Sequence, residues 1–300
     1  MKFDVVCFGS AVIDIFLDTD IAEKGKFMYY PVGSKLLLKN LRFDIGGGGT
    51  NTSVAFSRLG LKAGFIGKIG DDVEGKKILS CLKTENVTFL GKIQKNELSG
   101  YSIILDSKEN DRTILTYKGV NNHLGIEDIK LRKIKTKWLY LSSLLEKSFQ
   151  TQVKVAQLLE KKGVKIAFNP SEYQIKELNL KPLLNLTTIL VLNKEEAELL
   201  AKSKTNLFKE LHKLGPKIVV ITDKNKPIIA SDGMREYFLK PHKIKVVERT
   251  GAGDAFASGF VAGQIAGFSM EKSLELGLKE SESVIKYFGA KNNLIRMKLK

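Results

Sequence analysis

The sequence predicts an α/β protein: a central, mostly parallel sheet flanked by helices, with a small second β-sheet set apart from it. Three observations lead there. From Trp138 onward, short apolar runs alternate with helix-compatible stretches, the rhythm of parallel strands joined by right-handed crossover helices. Between Ile15 and Phe43, and again between Phe89 and Tyr117, the chain carries only short β-prone pieces separated by polar or glycine turns, which is hairpin material. Glycine clusters at 46–49 and 251–253 stand where an extended segment hands over to a helical one. Three hundred residues can bury a sizeable core and suit one domain, 1–300, with the small sheet (about 15–44 and 89–118) inserted in it.

In chain order, Phe3 to Gly9 is a compact apolar run expected as a central strand, with Asp14 five residues beyond Gly9. Phe27–Val32 and Lys35–Phe43 are the β-prone patches of the first hairpin region. Asp44 to Asn51 holds the first glycine cluster and opens a helix expected over Thr52–Leu59, closed by Gly60. Lys62–Ile69 reads as a strand, and Gly70-Asp71-Asp72 caps a helix over Val73–Thr84. Phe89–Ile93, Gly100–Leu105 and Thr113–Tyr117, joined by turns such as Ser107–Asn110, are expected to pair with the first hairpins. Then come Trp138–Leu141, a helix over Ser148–Lys161, Val164–Phe168, Thr188–Leu192, a helix from Lys194, and Lys217–Ile221. Polar residues collect just past the strand ends (Asn169, Asn193, Thr222, Thr250), as at a site on the carboxyl edge of an open sheet. Lys243–Val247 is expected as a last short strand before the second glycine cluster.

Composition narrows the function. The net charge is +16, but the lysines are scattered, with no basic block and no aromatic–basic interleaving, which argues against a nucleic-acid partner. A solvated surface explains the charge, as does attraction of a phosphorylated co-substrate. No apolar run approaches the roughly eighteen residues of a membrane span. The N-terminus enters a strand directly, without signal-peptide regions. Cys7 and Cys81 imply neither a disulfide framework nor a metal site. A cytoplasmic protein is the expectation.

The chemistry is expected at Thr250-Gly251-Ala252-Gly253-Asp254. The first N–H groups of a helix lack intrahelical partners, and glycines let an anion approach them closely. A carboxylate held there suits a general base; equally, Asp254 reads as a helix cap. Neither glycine cluster spells G-x-G-x-x-G, and no G-x-x-x-x-G-K-[ST] occurs.

Gly46-Gly47-Gly48-Gly49-Thr50-Asn51, continued through Leu59-Gly60 to Gly67-Lys68-Ile69-Gly70-Asp71-Asp72, is the first signature. Thr250 to Phe256 with Gly259 is the second, and Asn193-Lys194-Glu195-Glu196 lies between them. In this order, and over essentially the whole chain, they resemble the ribokinase/PfkB family of carbohydrate and nucleoside kinases. The resemblance implies a ribokinase-like fold in which the small sheet is a lid. It implies an ATP-dependent sugar kinase that transfers the γ-phosphoryl group to a sugar hydroxyl. Asp254 would be the general base, and the backbone of Gly251, Ala252 and Gly253 the anion hole. Asp14 and Asn51 would bind the sugar, with Gly47 and Gly48 allowing its close approach. Asn193, Thr222, Lys224, Gly251, Gly253 and Gly289 would meet the nucleotide. Glu196 and Asn193 would hold Mg²⁺ through water; the plain reading of Glu196 is a first-turn helix carboxylate. Lids of this family often pair into homodimers.

Departures from the family pattern bear on specificity. Val12 replaces an asparagine often found two residues before the aspartate. Glu248 replaces an aspartate that often helps hold a monovalent cation, which puts K⁺ activation in question. Arg249 beside it either places a positive charge near the anion hole or faces solvent. Thr222 to Pro227 lacks both glycines of the nucleotide-side element, so ATP, ADP or another donor is left open. Two alternatives stand. A nucleoside kinase would need stacking partners, with Phe16, Phe27, Tyr101 and Tyr117 as candidates. A catalytically silent sugar- or nucleotide-binding regulator would not need the intact Asp254, Asn193 and Glu196.

Overall fold

The computed structural model describes residues 2–25, 27–108 and 112–299. The chain opens with β1 (Lys2–Phe8), β2 (Val12–Asp18), the short β3 (Glu23–Lys24) and β4 (Phe27–Met28), and β5 (Asn40–Gly46). Then follow α1 (Gly48–Arg58), β6 (Ala63–Ile66), β7 (Lys68–Gly70), α2 (Val73–Thr84), β8 (Thr88–Phe89), β9 (Lys92–Gln94), β10 (Gly100–Asp106) and β11 (Arg112–Tyr117). Next come β12 (Lys135–Ser142), α3 (Glu146–Glu160), β13 (Lys165–Asn169), α4 (Glu172–Glu177), α5 (Lys181–Leu184), β14 (Ile189–Asn193), α6 (Lys194–Ala201) and α7 (Leu207–Lys213). The chain closes with β15 (Ile218–Thr222), β16 (Ile228–Ser231), β17 (Glu236–Leu239), α8 (Ala252–Ala266) and α9 (Met270–Val284).

Nine of the described strands form one sheet in the order β17-β16-β15-β14-β13-β12-β1-β6-β8. It is parallel from β15 to β8, and antiparallel where β16 and β17 are added. The 223–227 connection is too short for a crossover, so β16 returns beside β15 as a hairpin. Strand residues point alternately to the two faces, and each face has its own core. Val5 and Cys7 of β1 join α1, α2, α8 and α9; Val6 and Phe8 join α3, α5, α6 and α7 on the other side. Helix α8 is buried from Ala255 to Gly263 because it lies between the sheet and α9. The two helices touch where Gly259 faces Gly277, and a Cβ on Gly259 would sit 2.9 Å from the Gly277 Cα. Among the described residues no helix is long and apolar enough to cross a membrane.

A separate four-stranded sheet runs β11-β10-β2-β5. Its register puts Asp14 level with Asp44 and Ser102, and Ile15 level with Phe43 and Ile103. One face is therefore polar around Asp14, the other apolar.

Several sequence expectations need correction. The small sheet begins at Val12, not Ile15, and Phe27–Val32 and Lys35–Phe43 are strand only at 27–28 and from 40. Phe89–Ile93 does not join it: β8 extends the main sheet beside β6, and β9 pairs with β7. The strand expected over Lys62–Ile69 is divided at Gly67, whose carbonyl accepts from Lys92 N. Helix α1 starts at Gly48, four residues before Thr52. Gly47, at φ 96°, turns the chain there, and the Thr50 and Thr52 hydroxyls bond back to the carbonyls of Gly46 and Gly48 at 2.5 and 2.6 Å. Lys243–Val247 is not a strand; its end is held by α9 instead, through Val247 N donating to Ile285 O at 2.8 Å. The turn expected at Ser107–Asn110 lies partly outside the described residues.

Helix α2 spans the expected residues, and its cap does more than cap. Asp72 accepts from Gly75 N at 2.7 Å, and also from Ser99 N at 2.8 Å and Ser99 Oγ at 2.7 Å. Asp72→Ala would lose the cap and two charge-assisted bonds to the β9–β10 connection, so a loss of about 2 kcal/mol is expected. It would be read as a lower urea midpoint at an unchanged m-value; an unchanged midpoint would remove this account of the cap.

Candidate active site

The parallel strands all end at one edge. Ser142 is level with Asn169, and Asn193 with Thr222. Helices α1 and α8 begin above that edge, so the positive ends of two helix dipoles converge there. Between them lies a cleft of about 320 Å³ lined by Ser10, Ser142, Asn169, Asn193, Thr222 and Asp254, among others.

The turn leading into α8 is built on Glu248. This buried carboxylate accepts from Arg249 N at 2.5 Å, Thr250 N at 2.8 Å and Thr250 Oγ1 at 3.0 Å. Arg112 of β11 pairs with it and reaches Thr250 Oγ1 at 3.1 Å. The small sheet is thereby tied to the turn. Arg249 itself is exposed, so the fixed cation at this turn comes from Arg112. Gly251 has φ 79°, and a Cβ there would collide with Ala290, so the position demands glycine. Of the three N–H groups expected to form the anion hole, that of Ala252 donates to Arg249 O at 3.2 Å. Those of Gly251 and Gly253 have no partner among the described residues and border the cleft.

Asp254 does not cap α8. The N-cap is Gly251, without a side-chain bond. The Asp254 carboxylate instead accepts from Asn51 Nδ2 at 2.8 Å. Burial pushes its pKa up; the Asn51 bond and the nearby Lys291 ammonium pull it back. Gly48 makes room for Ser142: a Cβ there would lie 2.8 Å from the Ser142 Cβ, but only at ordinary contact distance, 3.5 Å, from Asp254 Oδ1. Asp14 is buried on the polar face of the small sheet, directly over Gly46, where any Cβ would strike its carboxylate. Burial raises its pKa to about 6, opposed by Lys291 and by the Ser102 hydroxyl.

Asn193 and Glu196 are held by each other. Asn193 N donates to Glu196 Oε2 at 2.9 Å, and Glu196 N to Asn193 Oδ1 at 2.8 Å, a reciprocal capping box at the start of α6. Burial pushes Glu196 up to about 7, and a nearby cation would favour its ionised form. The set is one carboxylate and one amide oxygen, and no group of three or more His, Cys, Asp or Glu residues gathers as a metal site among the described residues. Hard oxygen donors in such small number fit Mg²⁺ that keeps most of its waters.

Of the remaining expected residues, Gly48 and Thr222 line the cleft, whereas Gly47 and Asn51 lie behind its wall. Lys224 does not line it; its ammonium sits 3.4 Å from Glu195 on the surface. Gly289 is also outside the lining and lies against Asp44. Among the candidate aromatics only Phe16 shares the face of Asp14, edge-on to Phe288 at 6.3 Å. Tyr101 and Tyr117 stand on the opposite face, and Phe27 is exposed against Tyr29. The sequence singled out neither Ser142 nor Arg112, and it marked Lys291 only as part of Phe288-Gly289-Ala290-Lys291, which resembles the family's segment beneath the nucleotide. Ser142 could have been found as the residue ending the β12 apolar run; no local signal marks Arg112.

Comparison with known proteins agrees with this fold. Residues 2–296 match the family described as pfkB family carbohydrate kinase. An uncharacterized sugar kinase of Archaeoglobus fulgidus is 29% identical over 247 residues, covering 81% of this chain and 99% of that protein. The ribokinase of Haemophilus influenzae is 27% identical over 275 residues, covering 87% and 88%. The solved adenosine kinase of Sinorhizobium meliloti matches with a TM-score of 0.84 at 21% identity, over 97% of this chain and 96% of that one. The fold is the ribokinase-like α/β fold.

Burial raises the pKa of Asp14 to about 6 and those of Glu196 and Glu280 to about 7. Between the unfolded and folded values the native chain binds the extra proton, so these groups stabilise it below the unfolded pKa and lose that contribution as pH rises through the folded one. Glu280, on α9, accepts from Ile295 N at 2.9 Å and is buried away from the cleft. Glu280→Gln is expected to flatten the fall in stability between about pH 5 and 8, read by urea unfolding across that range. A slope equal to wild type would show that Glu280 keeps its ordinary pKa.

Proposed function

The chain belongs to the pfkB family of carbohydrate kinases, and on that premise we propose that it transfers the γ-phosphoryl group of ATP to a sugar hydroxyl, with Asp254 as the general base. The observation that carries this reading is the state of Asp254. Its carboxylate is not spent on capping its own helix, borders the cleft, and is aimed by Asn51 beside two unpartnered N–H groups. Asp254 takes the proton of the acceptor hydroxyl as that oxygen attacks phosphorus. The N–H groups of Gly251 and Gly253, at the positive end of α8, face the charge that grows on the transferred phosphoryl group. Asp14 holds the acceptor from the other side, and the small sheet covers it and keeps water from competing. Asn193 and Glu196 would hold Mg²⁺ near the phosphates, where it neutralises their charge.

A nucleoside acceptor is the second reading, and one observation favours it. Phe16 and Phe288 form an aromatic pair on the Asp14 face, with the Arg42 guanidinium 4.0 Å from the Phe288 ring. A base could stack there; a sugar needs no such surface. The apolar outer face of the small sheet, with Phe43, Leu115 and Tyr117 exposed, supports a homodimer formed through it.

Nucleotide consumption with Mg²⁺, measured against pentoses, hexoses, sugar phosphates and nucleosides, tests the proposal. Turnover with a sugar is expected; turnover with nucleosides alone would select the second reading, and silence with bound ligand would select a regulator. Asp254→Asn is expected to lower kcat by about 10²- to 10⁴-fold with acceptor binding retained. Full activity in that variant would remove Asp254 from its role. Asp14→Ala should weaken acceptor binding more than ATP binding, by calorimetry; equal losses would move the acceptor site elsewhere.

A further inference from the structure

Lys291 is a buried lysine, 4% exposed, inside the wall of the cleft. Its backbone is held by Arg58 Nη1, which donates to Lys291 O at 2.5 Å while its other nitrogens grip Glu85 at 2.9 and 2.6 Å. Its ammonium donates to Asn51 Oδ1 at 2.6 Å and to the carbonyl of Ile45 at the end of β5. Asp14, Asp44 and Asp254 all act on it electrostatically. A lysine is placed this deep only where partners compensate its desolvation.

The consequence lies in the Asn51 amide. An amide can present either end to a neighbour, and only its hydrogen-bond partners decide which. An ammonium can only donate, so Lys291 claims Oδ1 and leaves Nδ2 to point at Asp254 Oδ2, 2.8 Å away. A flipped amide would set its NH₂ against the ammonium and its oxygen against the carboxylate, repulsive at both ends. Lys291 therefore locks the amide, and the amide locks the carboxylate. We propose that Lys291 is a positioning residue that, through Asn51, holds Asp254 aimed and ionised for proton abstraction. This rests on reading Asp254 as the base.

The other groups facing Asp254 are Cys7 of β1, Tyr140 of β12 and Asp14 of β2. None of them carries positive charge, so among the described residues Lys291 is the side-chain cation that favours the ionised base. The pH profile of kcat/KM for the acceptor tests the inference. In Lys291→Met the acidic limb is expected to move up by about one pH unit or more, with activity on the acid side of the limb down about tenfold and the KM for ATP little changed. Lys291→Arg, which keeps the charge, should recover part of the shift. Asn51→Leu should give a similar shift, to which Lys291→Met adds little, and it carries the test if Lys291→Met does not fold. A limb at the wild-type position in the folded variants would overturn the inference. Asp254→Asn, run alongside, separates the two levels. Activity in that variant sinks the reading of the base, whereas inactivity there with an unmoved limb in Lys291→Met sinks only the role of Lys291.

Discussion

The hydrogen bond from Asn51 Nδ2 to Asp254 Oδ2 joins residues 203 positions apart and brings together the first turns of α1 and α8. Each helix needs small residues at its start for this to happen. α1 begins with glycines and threonines that fit against the end of β1; α8 begins with a glycine in the left-handed region and a second one open to the cleft. Two helix N-termini that point at one place create a region of positive potential without any charged side chain. A carboxylate set between them would ordinarily be held ionised and only weakly basic. Burial works the other way and raises the pKa, so Asp254 is kept ionisable yet basic.

The small sheet is fastened to this centre at both ends of its polar face. On one side Ile45 of β5 accepts from Lys291. On the other, Arg112 of β11 pairs with Glu248 in the turn before α8. A cover attached at these points cannot shift without disturbing the turn that carries the unpartnered N–H groups. The small sheet and the turn before α8 are therefore mechanically linked, by one charge pair and one ammonium–carbonyl bond added to the apolar packing of Ile13, Ile15, Ile45 and Tyr101 against the main core.

Most of the parallel half was legible because its signals are local. The β12–β15 runs are apolar on both faces and end in Ser142, Asn169, Asn193 and Thr222, and a pattern of that kind reads directly from the chain. The glycine clusters announced both helix starts, although α1 begins at Gly48 because tertiary contact with β1 outweighs the weak helix preference of glycine. What could not be read depended on distant pairing. Nothing within 89–93 tells that β8 goes to the main sheet and β9 to β7. The apolar alternation of 243–247 suggested a strand, but the segment meets the end of α9 instead, where Val247 N donates to Ile285 O. Asp254 and Asn51 were each recognisable; that Asn51 faces Asp254 rather than the open cleft needed the fold. Lys291 stands in the segment Phe288-Gly289-Ala290-Lys291, which resembles the family's segment beneath the nucleotide, but nothing local shows that its ammonium reaches Asn51.

Charge explains why the motifs alone leave the acceptor open. On the Asp14 side lie the carboxyls of Asp14, Asp44 and Asp254 with two cations, Lys291 and Arg42, so carboxyls outnumber cations there. The phosphoryl side offers backbone N–H groups and a Glu196 whose raised pKa keeps it partly neutral. The molecule as a whole carries +16, and that long-range field draws an anionic nucleotide toward a cleft whose inner half would repel it. On the proposed function, the nucleotide would take the backbone side and the acidic half would be left to a hydroxyl-rich acceptor. Carboxylates can accept hydrogen bonds from any such acceptor. Discrimination among acceptors therefore falls to the shape of the cover, to Phe16, Phe288 and Arg42, which lie outside both glycine signatures.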